Sequence, residues 1–230
     1  FPSISHVKYK IFNNQATNLW NVLKLIHGRL FQRFPECSLF LADGFPLPIC
    51  HLARANRSHL FCDKTSRSYC AAKDEHYYGF KVLLVTTEQG IPVDYAIDAA
   101  NVDERELLTR TKIPAHYTVI ADKGFISKEL TQTLKDKHGI TLITPTRKNM
   151  LHQISNRFSK LITGIRKRIE TTISQLTEIF SINKTKTRSL HGLLGRINRK
   201  ILAYTTALFF NYQLVKDLNE CTKLENLIQA

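Results

Sequence analysis

The sequence has no uninterrupted apolar run of the ~18 residues that a membrane span requires. Its longest apolar stretch, ILAYTTALFFNY at 201–212, is too short and reads as a buried helix. The opening FPSISHVKYK lacks the apolar centre of a secretory leader. Repeats, low-complexity tracts and Pro/Gly/Ser-rich linkers are also missing, which argues against a string of small modules. The five cysteines, Cys37, Cys50, Cys62, Cys70 and Cys221, form no CxxC pair. An odd, scattered set argues for free thiols in a reducing compartment such as the cytoplasm. His59-x-x-Cys62 is the one knuckle-like spacing, and without a second knuckle it does not meet a zinc template. His51, His76 and His116 have no Ser or Cys partner visible in sequence, so a nucleophile–base pair has little support. Acid is scarce as well: 19 Asp and Glu stand against 33 Lys and Arg, for a net charge of +14.

That imbalance speaks about partners. A polybasic membrane anchor gathers its charge in one short cluster. Here the basic residues run along the whole chain, densest at 147–148, 157–186 and 196–200. Nucleic acid is the polyanion this distribution fits best. Hydrophobic residues make up 43% of the 230, enough to build a core.

Three zones follow along the chain. Residues 1–36 read as helical, with Trp20, Leu23, Ile26, Leu30 and Phe31 at helical spacing and Pro35 as the stop. The first residue is Phe1 rather than Met, and this zone is expected to be the end of a longer N-terminal region. Residues 37–146 alternate strands and helices. Apolar strands are expected at 38–42, ending at Asp43-Gly44, and at 117–121, ending at Asp122-Lys-Gly124. A hairpin is expected from 77–87 and 91–99, and a last strand at 140–144. Asp103 reads as a helix cap, and Ser127 and Gly139 bracket another helix. Residues 45–76 read as an exposed basic insertion. From 150 onward, Phe158, Leu161, Ile162, Ile165, Ile169, Ile173 and Leu176 mark a long amphipathic helix, and 194–218 a final one. Hairpin strands are antiparallel and strands joined through helices favour parallel pairing. The expected fold is α/β, a mixed sheet flanked by helices, with helical segments at both ends. The expected boundaries are 1–36, a catalytic domain at 37–180, and a basic loop and helix at 181–230.

Chemistry is expected where two short strands each end in an acid. Ligands of open α/β sheets bind outside such strand ends. A glycine beside each Asp is expected to permit a sharp turn and leave room for a ligand. Taken singly, Asp43 or Asp122 also reads as an ordinary turn Asp. Glu170 lies in Arg166-Lys-Arg-Ile-Glu170, at the edge of the long helix's apolar stripe. It reads either as a surface ion pair with Arg166 or as a third acid aimed at the two aspartates. Three carboxylates from two strand ends and a helix suit hard divalent ions. Two such ions about 4 Å apart support phosphoryl transfer. Glu129 and Glu178 also lie on expected helices and compete with Glu170 for the third place.

With these pieces in place the sequence resembles the DDE transposases of bacterial insertion sequences, whose catalytic core is ribonuclease H-like. The resemblance rests on LFLADGFPLPIC, YCAAKDEHYYGFKVLLVTTEQGIP, VIADKGFI and the Arg166-x-x-x-Glu170 pairing, and it spans about residues 1–215. It implies that Asp43, Asp122 and Glu170 bind two Mg²⁺ or Mn²⁺ ions. It implies cleavage of phosphodiester bonds at element ends and joining of a 3′-hydroxyl to target DNA. A homodimer pairing two ends is implied too, in the bacterial cytoplasm beside the nucleoid. The residues expected against DNA are Lys81, Lys123, Arg166, Lys167, Arg168, Lys184 and Lys186. Relatives often carry Tyr three residues before the arginine and Lys seven after the glutamate, where this chain has Thr163 and Thr177. The alternatives are a nuclease of the same fold that does not join, and an inactive DNA-binding remnant. Asp94 and Asp98 read as strand-face charge pairs, and Tyr69, Tyr77, Tyr78 and Phe80 beside Lys73 and Lys81 as mostly structural.

Overall fold

The computed structural model describes residues 18–224 apart from 59, 62, 71–73, 148–149, 151–152 and 185, together with 11, 14 and 15. The readings on His59, Cys62, Lys73 and Lys148 lie outside the described residues. Six strands form one mixed sheet: β1 (Leu39–Cys50), β2 (Ser66–Cys70), β3 (Glu75–Thr87), β4 (Pro92–Ala99), β5 (Thr118–Ala121) and β6 (Thr141–Ile143). Their order is β2-β3-β1-β5-β6, and β4 shares the outer edge of β3 with β2. β1 pairs antiparallel with β3 and parallel with β5, so the sheet changes character at β1. Among the described residues five α-helices surround it: α1 (Trp20–Phe31), α2 (Glu104–Thr109), α3 (Lys128–His138), α4 (Asn156–Glu178) and α5 (Leu190–Val215).

Strand alternation sorts the core onto two faces. Phe45, Leu47, Phe80, Val82 and Leu84 pack under α5 residues Leu193, Ile197, Ile201, Tyr204 and Leu208. Phe40, Ala42, Leu83 and Val85 face Leu107 and Leu108 of α2 and Leu130 and Leu134 of α3. Leu41 and Ile120 meet Ile162 and Ile169 of α4. Each large apolar side chain among these contributes about 1.5–3 kcal/mol by leaving water. The helix ends follow local chemistry. Ser127 accepts the Leu130 N–H at the start of α3, and Gly139 closes it in the left-handed region at φ 63°. Asp103 caps α2 through the Arg105 N–H, as its position predicted.

Two expectations fail here. The strand carrying Asp43 does not stop there: β1 runs on to Cys50 beside β3, burying Phe45 and Leu47. Residues 45–50 therefore belong to the sheet, as do β2 and the start of β3, and the supposed insertion at 45–76 shrinks to what lies between β1 and β2. Pro46 and Pro48 hid this in the sequence. They are tolerated because β1 loses β5 beyond Ala42 and becomes an edge there. Ile26, placed on the buried stripe of α1, is 46% exposed, and His27 is buried instead, its Nε2 3.2 Å from Thr205 Oγ1 of α5.

Gly79, in the Tyr-Gly-Phe-Lys strand, sits where β3 presses on the β1 bulge. A Cβ there would lie 2.3 Å from the Leu47 carbonyl oxygen, which is backbone and cannot yield. Gly79→Ala is expected to cost about 1–3 kcal/mol in urea unfolding, as overpacking does. A change below measurement error would show that the strands part without cost.

Candidate active site

β1 and β5 pair only as far as Ala42 and Ala121. Asp43 is the next residue of β1, and Asp122 the next after β5. Both acids thus stand where two parallel strands separate, the place where sheets of this kind receive ligands. Strand alternation puts Asp43 on the same face as Leu41, which is the face α4 covers. The seating of Ile162 and Ile169 fixes the rotation of α4. Arg166 and Glu170, one turn apart, then fall at the rim of that contact, above the strand ends.

Arg166 joins all three expected acids. Its Nη1 donates to Asp122 Oδ1 at 2.9 Å. Its Nη2 stands 3.6 Å from Asp43 Oδ2 and 3.9 Å from Glu170 Oε1. The Asp43 and Glu170 oxygens are therefore no further apart than those two distances together. The Arg166 side chain is 12% exposed, whereas those of Asp122 and Glu170 are about half exposed. Glu170 forms the i,i+4 ion pair with Arg166, the guanidinium that also meets Asp43 and Asp122. Among the described residues no three Asp, Glu, His or Cys side chains stand close enough to share a metal, and the guanidinium fills the space between these three. The donors are nonetheless all hard carboxylate oxygens, as Mg²⁺ and Mn²⁺ require. Arg166 Nε is buried and finds no acceptor, so the guanidinium is incompletely satisfied where it lies.

Burial pushes the Asp43 carboxyl up to about 6, against the pull of Arg166 and the Gly44 N–H, with Glu104 and Asp122 adding repulsion. A raised carboxyl favours folding below its unfolded value and loses that contribution as pH rises through the folded one. For Asp43 the window runs from 3.8 to about 6. Metal-free protein is expected to lose roughly 2 kcal/mol relative to Asp43→Asn across that window. Urea melts at pH 4 and pH 7 measure it, and parallel curves for the two proteins would refute the burial argument.

The glycines beside the acids serve differently from the sequence expectation. Neither Gly44 nor Gly124 has a positive φ, so neither makes a turn that other residues cannot. Gly124 faces open space, while Gly44 is packed against the Glu104 carboxyl. Glu104 was not singled out from sequence, because it sits beside the helix cap Asp103 and only the sheet order brings it to β1.

The basic residues divide. Lys123 and Lys167 are exposed beside Asp122 and Arg166, and Lys184 and Lys186 are exposed in the turn between α4 and α5. Arg147, not among the expected DNA contacts, donates to the Lys123 carbonyl and so adds to that rim. Arg168 instead donates to Thr222 Oγ1 on the C-terminal segment, and Lys81 is engaged with Glu104 and the Val102 carbonyl. The Thr163 and Thr177 hydroxyls turn back onto the carbonyls of their own helix. Asp94 pairs with Lys24 and accepts the Lys112 N–H, and Asp98 pairs with Arg110, both structural as expected. Tyr77, Tyr78 and Phe80 are buried, and Tyr69 is half exposed with its hydroxyl on Asp74.

A family model described as a transposase DDE domain matches residues 36–190, two acid-bearing strand ends and all of α4 included. The chain belongs to the DDE transposase family. No curated protein and no solved structure matches it. The matched segment ends where α5 begins, so it covers the sheet and α4. The mixed sheet with helices on both faces is the ribonuclease H-like fold of that family. Among the described residues no helix is long and apolar enough to cross a membrane.

Proposed function

We propose that this transposase cleaves phosphodiester bonds at the ends of a bacterial insertion sequence and joins the freed ends to target DNA. The convergence of Asp43, Asp122 and Glu170 on Arg166 at the β1–β5 separation is the observation that carries this reading. In it the three carboxylates hold two Mg²⁺ or Mn²⁺ ions and Arg166 yields its place between them. Divalent ions in such a site activate an attacking oxygen and stabilise a leaving one. Lys123, Lys167 and Arg147 line the rim and grip phosphates as point charges and forks, while Lys184 and Lys186 extend the path. Arg168 and Lys81 are left out of the DNA surface in this reading, since both are engaged inside the fold. Residues 37–180 form the catalytic domain, and 181–230 the loop and helix packed on it. Two copies pair two element ends, in the bacterial cytoplasm beside the chromosome.

The test is incubation of the protein with labelled element-end DNA, a target plasmid and Mg²⁺. Labelled end joined to target is expected. Cleaved but unjoined ends would assign a nuclease, and intact DNA that remains bound would assign an inactive remnant. Either outcome overturns the proposal.

A further inference from the structure

We propose that the cavity between β1, β2 and α2 binds an unpaired guanine base, walled by Tyr69 and Tyr77 and read by Glu104 and Lys81. The inference rests on DNA being the substrate, as proposed above, and names what the protein reads in it.

The cavity holds about 250 Å³, and its lining includes Gly44, Pro46, Tyr69, Tyr77, Lys81 and Glu104. That is below the roughly 300–1,000 Å³ of pockets for drug-sized ligands, and it suits a single flat ring system. Gly44 and Pro46 pair in register with Leu83 and Lys81 of β3. They lie on the sheet face that α2 covers, opposite to Asp43. The cavity is therefore separate from the three acids around Arg166, yet it begins one residue beyond Asp43 on the same strand. Both places can be occupied at once.

Tyr69 is 49% exposed on β2 and belongs to none of the buried clusters. Its ring is nonetheless held. The hydroxyl donates to Asp74 Oδ1, and the ring of His76, its partner across the strand pair, lies 5.0 Å away. Tyr77 is buried beneath. An aromatic ring already fixed at the edge of solvent loses little freedom when a base stacks on it.

Glu104 and Lys81 form the polar wall. A Cβ on Gly44 would lie 2.5 Å from Glu104 Oε1, so the glycine lets the carboxyl stand against β1. Lys81 Nζ is 3.7 Å from that oxygen and 3.3 Å from the Val102 carbonyl, which leaves the ammonium a third donor. The two side chains are 31% and 20% exposed, so both remain open to a ligand. A carboxylate accepts and an ammonium donates. Guanine matches the pair, because its N1–H and N2 amine donate beside the acceptor O6. Adenine and cytosine turn a ring-nitrogen lone pair toward the carboxylate, and thymine turns a carbonyl. Each leaves acceptor facing acceptor, the loss by which polar sites reject a wrong ligand. Lys81 lies off the phosphate path described above and here meets a base edge instead. Extruding a base costs least where pairing is already lost, as at a cleaved or frayed end. A plain Glu104–Lys81 ion pair explains neither the cavity nor the exposed ring of Tyr69.

The test is fluorescence anisotropy of short oligothymidylate strands carrying one central dG, deoxyinosine, dA or dC, in EDTA. Melting curves confirm that each variant folds. A single dG is expected to tighten binding about 10-fold or more over thymine alone, the scale of a two-bond base contact. Deoxyinosine lacks the N2 amine and is expected to fall between. Glu104→Gln keeps the volume beside Gly44 and is expected to erase the guanine preference while the thymine-only strand binds as before. Tyr69→Ala is expected to weaken the dG strand about 5–100-fold, as loss of a stacking ring does. A structural role would lower the melting temperature of both variants and leave the base preference unchanged. Equal binding of every strand, or a guanine preference that both variants keep, overturns the pocket and leaves the DNA reading standing. Binding of duplex DNA alone does the same. A protein that binds neither strands nor duplex overturns both.

Discussion

Asp122→Asn should lower end cleavage and joining by about 10³-fold or more, since a lost metal ligand removes several kcal/mol of transition-state stabilisation. The side chain makes one described contact, with Arg166, and is about half exposed. It makes no capping bond to the turn that follows β5. Substitution by its isostere therefore removes charge without disturbing packing, and stability should change by less than about 1 kcal/mol, as for other exposed ion pairs. DNA binding should persist, because the basic rim is untouched. Single-turnover cleavage of an end substrate in Mg²⁺, beside a melting curve, separates the two effects. Activity within tenfold of wild type would remove Asp122 from the site. A variant that fails to melt cooperatively would instead show that Asp122 holds the fold together.

Arg166→Met should act in the opposite place, on the protein without metal. The guanidinium is the cation among three carboxylates, and its side chain is mostly buried. Methionine fills the stem's volume and leaves Asp43 buried with the Gly44 N–H as its remaining partner. The expected loss is about 2–3 kcal/mol in EDTA, below the cost of breaking a fully buried pair because two of the acids reach solvent. Mg²⁺ should then stabilise the variant more than the wild type, since the ion replaces the charge that was removed. Arg166→Lys should recover only part of the loss: an ammonium is a point charge and cannot span Asp122, Asp43 and Glu170 as a planar fork does. Thermal melts in EDTA and in Mg²⁺ read both effects. Equal metal-induced shifts in wild type and variant would show that metal and guanidinium do not share a place.

Gly44 and Glu104 show where sequence reading stopped. Asp43 and Asp122 were legible because each follows a short run of buried residues, and such runs carry their own signature. Glu170 was legible because the 3.6-residue period puts it at a stripe edge beside Arg166. Glu104 carried no signal: one acid after a cap residue looks like any first-turn acid, and its partner lies 60 positions earlier in the chain. Arg168 misled for a related reason. Its neighbours Arg166 and Lys167 fall near the acids, but a step of two along a helix turns a side chain toward the other side, here onto Thr222. The prolines of β1 misled because proline weakens a strand only where a partner needs its N–H, and the sequence does not reveal which edge is free.

The three acids and their elements were thus set by local pattern, as were the caps at Ser127, Gly139 and Asp103, the basic balance and the family motifs. Those features depend on nearby residues and on composition, which a sequence carries in full. The order of strands, the place where β5 leaves β1, the gathering of Asp43, Asp122 and Glu170 around Arg166, and the seat of Glu104 against Gly44 were decided by tertiary structure alone. They depend on which strand pairs with which, and that follows from burying both faces of the sheet at once rather than from any one segment.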